Sequence, residues 1–194
     1  IANLQTQLAS GKKAATASMD SEAAMAGLRM NSILQEQSDH KFSLQGADNR
    51  LRQEESLVAA MQKISDRIQE LSITAASDTY SAEDRKMIAS EVAQYKEQLL
   101  SYANGQDESG NYMFSGGASR TKPFVLNADG SVTYSGDQTA INFDIGGGEK
   151  IRVNSIGSNV IGNITRTNAD DSTSQITAFD IIDDLVTALN GNNQ

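Results

Sequence analysis

The chain has 194 residues, enough for one ordinary domain or two small ones. Sixteen Lys+Arg against 25 Asp+Glu leave a formal charge of −9, which speaks against nucleic acid or an anionic membrane as partner, and no apolar run approaches the roughly 18 residues of a transmembrane helix. Cysteine is absent, which excludes disulfides, thiolate nucleophiles and Cys-ligated zinc.

Ile1, Leu4 and Leu8 have the spacing of a helix already under way, so the expectation is a core fragment whose native ends are missing. Ser10-Gly11-Lys12-Lys13 breaks that helix, and the Ala/Ser/Thr-rich run to Ser18 reads as a connector. Asp20 or Ser21 then caps a long helix that runs without proline to Ala76. Along it Ala26, Met30, Ile33, Gln37, His40, Leu44, Ala47 and Leu51 alternate steps of four and three. Leu57, Met61, Ile64, Ile68, Leu71 and Ala75 resume the pattern after a slip of one residue near Glu54-Glu55. This is the narrow seam of a coiled coil, on a helix roughly 85 Å long.

Ser81-Ala82-Glu83-Asp84 starts a second helix with a cap hydroxyl and acids in its first turn. Its seam is Ile88, Val92, Tyr95, Leu99 and Tyr102, and the short connection folds it back antiparallel on the first helix. At Asn104-Gly105 the character changes: 11 of the 15 glycines fall between Gly105 and Gly162, so turns are dense there. Short strands are expected at Tyr112-Met113-Phe114, Phe124-Val125-Leu126, Val132-Thr133-Tyr134, Ile141–Ile145 and Ile151–Val153, with a hairpin turn at Asn127-Ala128-Asp129-Gly130. Thr177 caps a last helix whose stripe is Phe179, Ile182, Val186 and Leu189, with Gly191 at its end. The fold class read from this order is α+β: residues 1–105 plus 166–194 form an elongated antiparallel helical rod, and residues 106–165 form a small antiparallel β domain inserted in it.

Three stretches carry a resemblance. Leu8-Ala9-Ser10-Gly11-Lys12-Lys13 with Met19–Ala24, and Arg67–Leu71 with Ala75–Ser77 and Ser81–Arg85, are similar to the rod segments of the flagellin superfamily. Asn111-Tyr112-Met113-Phe114-Ser115-Gly116 with Pro123-Phe124 and Tyr134-Ser135-Gly136-Asp137 resembles more closely its hook–filament junction branch, and the Phe-Asn-Gly segment usual in filament flagellins is missing. The resemblance implies a flagellin D1-like rod and a structural, non-enzymatic protein of the bacterial flagellum. It further implies export in the unfolded state, extracellular location, and ring assembly with copies of itself beside a second junction protein, hook protein and flagellin. An export chaperone is implied as well, whereas this trimmed chain alone is expected to be monomeric.

No cofactor or metal site is expected. His40, the only histidine, sits mid-helix on the seam and reads as a packing residue. Asn127–Gly130 lacks the bidentate glutamate of a calcium loop, and Gly146-Gly147-Gly148-Glu149-Lys150 lacks Walker A spacing; both read as turns. The adjacent acids Glu54-Glu55 and Asp183-Asp184 read as solvated faces. Two other functions remain open on the residues: a filament flagellin, and a surface adhesin whose β domain binds glycan or protein.

Overall fold

The computed structural model describes residues 8–9, 21–77, 79–162, 164–168 and 170–191. The connector before Ser21, and all of the expected first helix except Leu8 and Ala9, lie outside the described residues. The order is α1 (Ser21–Ala75), α2 (Ala82–Ala103), β1 (Phe124–Leu126), β2 (Val132–Tyr134), β3 (Asn142–Gly146), β4 (Glu149–Arg152), α3 (Gly157–Ile161), β5 (Ile164–Thr167), β6 (Thr173–Ile176) and α4 (Ala178–Asn190). With 55 unbroken residues, α1 is about 80 Å long. Packing groups residues 1–45 with 144–150 as one compact unit and residues 46–143 with 151–194 as a second.

In the second unit α2 runs antiparallel to the C-terminal part of α1. Arg67 pairs with Glu91 near one end, and Leu57 lies against Gly105 near the other. Their facing stripes, Met61, Ile64, Ile68, Leu71, Ile88, Val92 and Leu99, are buried together with Phe179, Ile182 and Leu189 of α4. Leu57, Tyr95 and Val186 are partly buried against this core. Both helix starts carry full capping boxes, Ser81 with Asp84 and Thr177 with Asp180, in which each hydroxyl accepts from the acid's N–H and each carboxylate accepts from the cap's N–H. Gly191 does cap α4, but with right-handed rather than left-handed backbone (φ −78°).

The other half of the seam behaves differently. Met30 is 57% exposed, and Ile33, Leu44 and Leu51 are exposed too, contrary to their expected place in a core. A seam is buried only where a second helix lies on it. With only 22 residues, α2 ends beside Leu57, so it has no length left for the earlier turns of α1. In the first unit His40 is half-buried, its imidazole against Gly146 and Nε2 3.6 Å from Glu36.

The strands form three separate two-stranded antiparallel or paired ribbons, β1–β2, β3–β4 and β5–β6, rather than one sheet. In the first, Phe124 faces Tyr134 and Leu126 faces Val132. In the last, Ile164 faces Ile176 and Thr167 faces Thr173. The expected strand at Tyr112–Phe114 is instead a chain of turns fixed by one bridge from Gln106 to Tyr112. The expected boundary between residues 165 and 166 falls inside β5, because the third ribbon carries strand structure on to Ile176.

Candidate functional site

No catalytic arrangement emerges from the described residues. Among them no three His, Cys, Asp or Glu side chains could share a metal ion, and no helix is long and apolar enough to cross a membrane. Of the eight residues the sequence singles out, Tyr112, Phe114, Gly116, Pro123, Phe124, Tyr134, Gly136 and Asp137, all but Tyr112 converge on a joint where the turn-rich segments meet the helices.

Phe114, Pro123 and Phe124 are buried, and the Phe124 ring stacks obliquely on Tyr134 (5.3 Å) and on Phe179 of α4 (5.8 Å). The Tyr134 hydroxyl lies 3.0 Å from both the Phe114 and Asp137 carbonyl oxygens, and burial pushes its pKa up. Phe114 O also accepts from Gly157 N, and Ser115 O accepts from Asp137 N. The Asp137 carboxylate in turn accepts from the N–H groups of Thr139 and Gly117, which hold its pKa below the usual carboxylate range. Gly116 adopts φ +69°, and a Cβ on it would drive into Asp137; a Cβ on Gly136 would drive into the Tyr134 hydroxyl. These two glycines are therefore part of the joint's shape. Tyr112 alone of the eight stays at the periphery, half-buried, its N–H donating to Ser119 O.

Three further residues lock this joint to the helices. Arg50 Nε donates to Val153 O (3.0 Å), while Nη1 lies 3.6 Å from Asp107. Glu54, read as part of a solvated face, is only 6% exposed and accepts from Ser155 N at 3.2 Å. Asn104 uses its side-chain amide as a short strand, accepting from Phe124 N and donating to Phe124 O, each at 3.0 Å. The one-residue slip of the seam at Glu54-Glu55 was the available signal for Glu54: where the apolar stripe shifts, another part of the chain must fill the gap. Nothing local marks Arg50 or Asn104.

Lys96 is a second junction. Its ammonium donates to both Asp183 oxygens (2.6 and 2.7 Å) and to Gly130 O (2.8 Å), so one charge joins α2, α4 and the β1–β2 turn. Asp184 pairs separately with Arg166.

Residues 1–119 match the model of the bacterial flagellin N-terminal helical region, three fifths of the chain. The chain belongs to the bacterial flagellin family. Among its relatives in this family is the flagellar hook-associated protein 3 of Escherichia coli, 26% identical over 187 residues, which cover 94% of this chain and 58% of that protein. A solved structure of the flagellar junction protein FlgL from Legionella pneumophila shares 35% identity and a TM-score of 0.62, covering 75% of this chain and 45% of that one. The structure of a protein named putative flagellar hook-associated protein, from Vibrio parahaemolyticus, superposes with a TM-score of 0.79 over 90% of this chain and 74% of its own, at 16% identity, so the fold is shared with it. This flagellin-family chain spans about three fifths of the length of the curated relatives it matches.

Proposed function

We propose that this flagellin-family chain is a hook–filament junction subunit: a structural adaptor of the bacterial flagellum, exported unfolded with an export chaperone's help and working outside the cell. In this reading it forms a ring with copies of itself, between hook protein and flagellin and beside a second junction protein, and performs no catalysis. The observation that carries it is the 35% identity with the Legionella junction protein over 75% of this chain. The exposed seam of α1 at Met30, Ile33 and Leu44 supports it, because an apolar stripe left open on a helix suits contact with other axial subunits. The helices and the ribbons would divide the work, α1, α2 and α4 bearing load and the ribbons between α2 and α4 shaping the outer surface. On its own the 194-residue chain would be monomeric, which sedimentation tests.

The decisive experiment is deletion of the encoding gene. Intact hooks with filaments shed into the medium, reversed by complementation, support the junction role. Wild-type filaments on the deletion strain, or long filaments polymerised from the purified gene product alone, overturn it.

A further inference from the structure

The chain contains two Asn-Gly steps, Asn104-Gly105 and Asn190-Gly191. In such a step the Gly backbone nitrogen can attack the asparagine side-chain carbonyl carbon. The new N–C bond closes a five-membered imide, the Cγ–Nδ2 bond breaks, and ammonia leaves carrying the proton of the Gly N–H. Water then opens the imide to aspartate or isoaspartate; no oxidant, reductant or cofactor enters.

The fold treats the two steps unequally. Both glycine N–H groups are held by helix-end bonds, Gly105 to Tyr102 O and Gly191 to Thr187 O, each at 2.9 Å. The asparagines differ. Asn104 is half-buried, and its amide is engaged at both ends, with Phe124 N, Phe124 O and Leu100 O at 3.0, 3.0 and 2.9 Å. Turning that amide toward Gly105 N would break three hydrogen bonds at once, in a place where Leu57 already crowds Gly105. Asn190 is exposed and ends α4, where the last turn frays most easily.

We propose that Asn190 is a spontaneous deamidation site of the folded protein, and that Asn104 carries the same reactive dipeptide in a protected form that converts only when the fold opens. Conversion at Asn104 would have a structural price: a carboxylate cannot donate to Phe124 O or Leu100 O, so α2 would keep only the bond from Phe124 N in its side-chain hold on β1. Conversion at Asn190 would leave the core untouched.

The test ages the purified chain at pH 8.5 and 37 °C, folded and in guanidinium, and maps it by peptide mass with fragment-ion assignment. In the folded protein the Asn190 position is expected to gain one mass unit at least about tenfold faster than Asn104, the ratio of an opening equilibrium of that size, and in denaturant the two rates should converge. Equal rates in the folded protein would overturn the protection, and no conversion of Asn190 before Asn104 would overturn the site. Asn104→Asp and Asn190→Asp give an independent reading, since the first should lower the melting temperature and the second leave it within error; the reverse order sinks the structural role given to the Asn104 amide.

Discussion

At the scale of single residues the glycines separate by what surrounds them. Gly116 and Gly130 both have positive φ, but a Cβ on Gly130 meets nothing within 4 Å, whereas one on Gly116 collides with Asp137. Moreover, the turn Asn127-Ala128-Asp129-Gly130-Ser131 is matched at Asn168, Asp170, Asp171 and Ser172. In both, the first Asn N–H donates to Ser O at 2.8 Å, its amide donates to the Ser hydroxyl at 2.9 Å, and the Asp carboxylate accepts from the Ser N–H. Asp171 stands where Gly130 stands, and at φ 61° it is the one non-glycine with positive φ among the described residues. Gly130→Asp should therefore cost no more than about 1 kcal/mol, while Gly116→Ala should cost more than about 2 kcal/mol; urea denaturation of both variants checks the contrast.

The carboxylates of Asp137, Asp84, Asp129 and Asp170 are all held below the usual range, the first by the N–H groups of Thr139 and Gly117 and the others by their serine partners. A folded pKa below the unfolded value stabilises the protein fully above that unfolded value, near 3.9, and the stabilisation is lost as pH falls through the folded value. Stability should thus be level from neutrality to about pH 5 and fall below about pH 4. Asp137→Asn should shrink that fall, which denaturation midpoints from pH 7 to pH 2.5 would reveal.

At the scale of elements, what could be read in advance was whatever the chain states locally. Both capping boxes and the buried stripe of α4 follow from cap residues and a 3.6-residue period. Removing one cap by Ser81→Ala should cost about 1 kcal/mol. Phe179→Ala removes a wholly buried ring shared by α4 and β1, and should cost about 3–5 kcal/mol; thermal melts of both variants measure the difference. The misses are equally physical. Strands β5 and β6 are rich in Thr, Ser and other polar residues, with most positions exposed, so they lack the apolar alternation that marks a half-buried strand. Tyr112–Phe114 has strand-like residues, but its backbone groups find Ser119, Gly105 and Gly157, partners that no local pattern announces.

At the scale of the whole molecule, the seam of α1 is buried along one stretch and exposed along another. Ile64 is buried against helices of its own chain, whereas Met30 and Ile33 have no such cover. Ile64→Ser should therefore lower the stability of the purified chain by several kcal/mol, of the order of a large core truncation. Ile33→Ser should change it by less than about 0.5 kcal/mol, yet impair swimming if other axial subunits cover that face. Circular dichroism melts and a soft-agar motility assay read the two effects separately; motility unaffected by Ile33→Ser would count against an assembly role for this stretch.

Lys96 adds a consequence for how the molecule comes apart. Its ammonium is nearly enclosed and answers to a carboxylate on α4 and a carbonyl at a hairpin tip more than fifty residues away in sequence. Neither can swing open alone without leaving a largely buried positive charge with fewer ligands. Distant parts of the chain should accordingly let go in a single step, with amide protons of α4 and of the β1–β2 ribbon exchanging together rather than in turn.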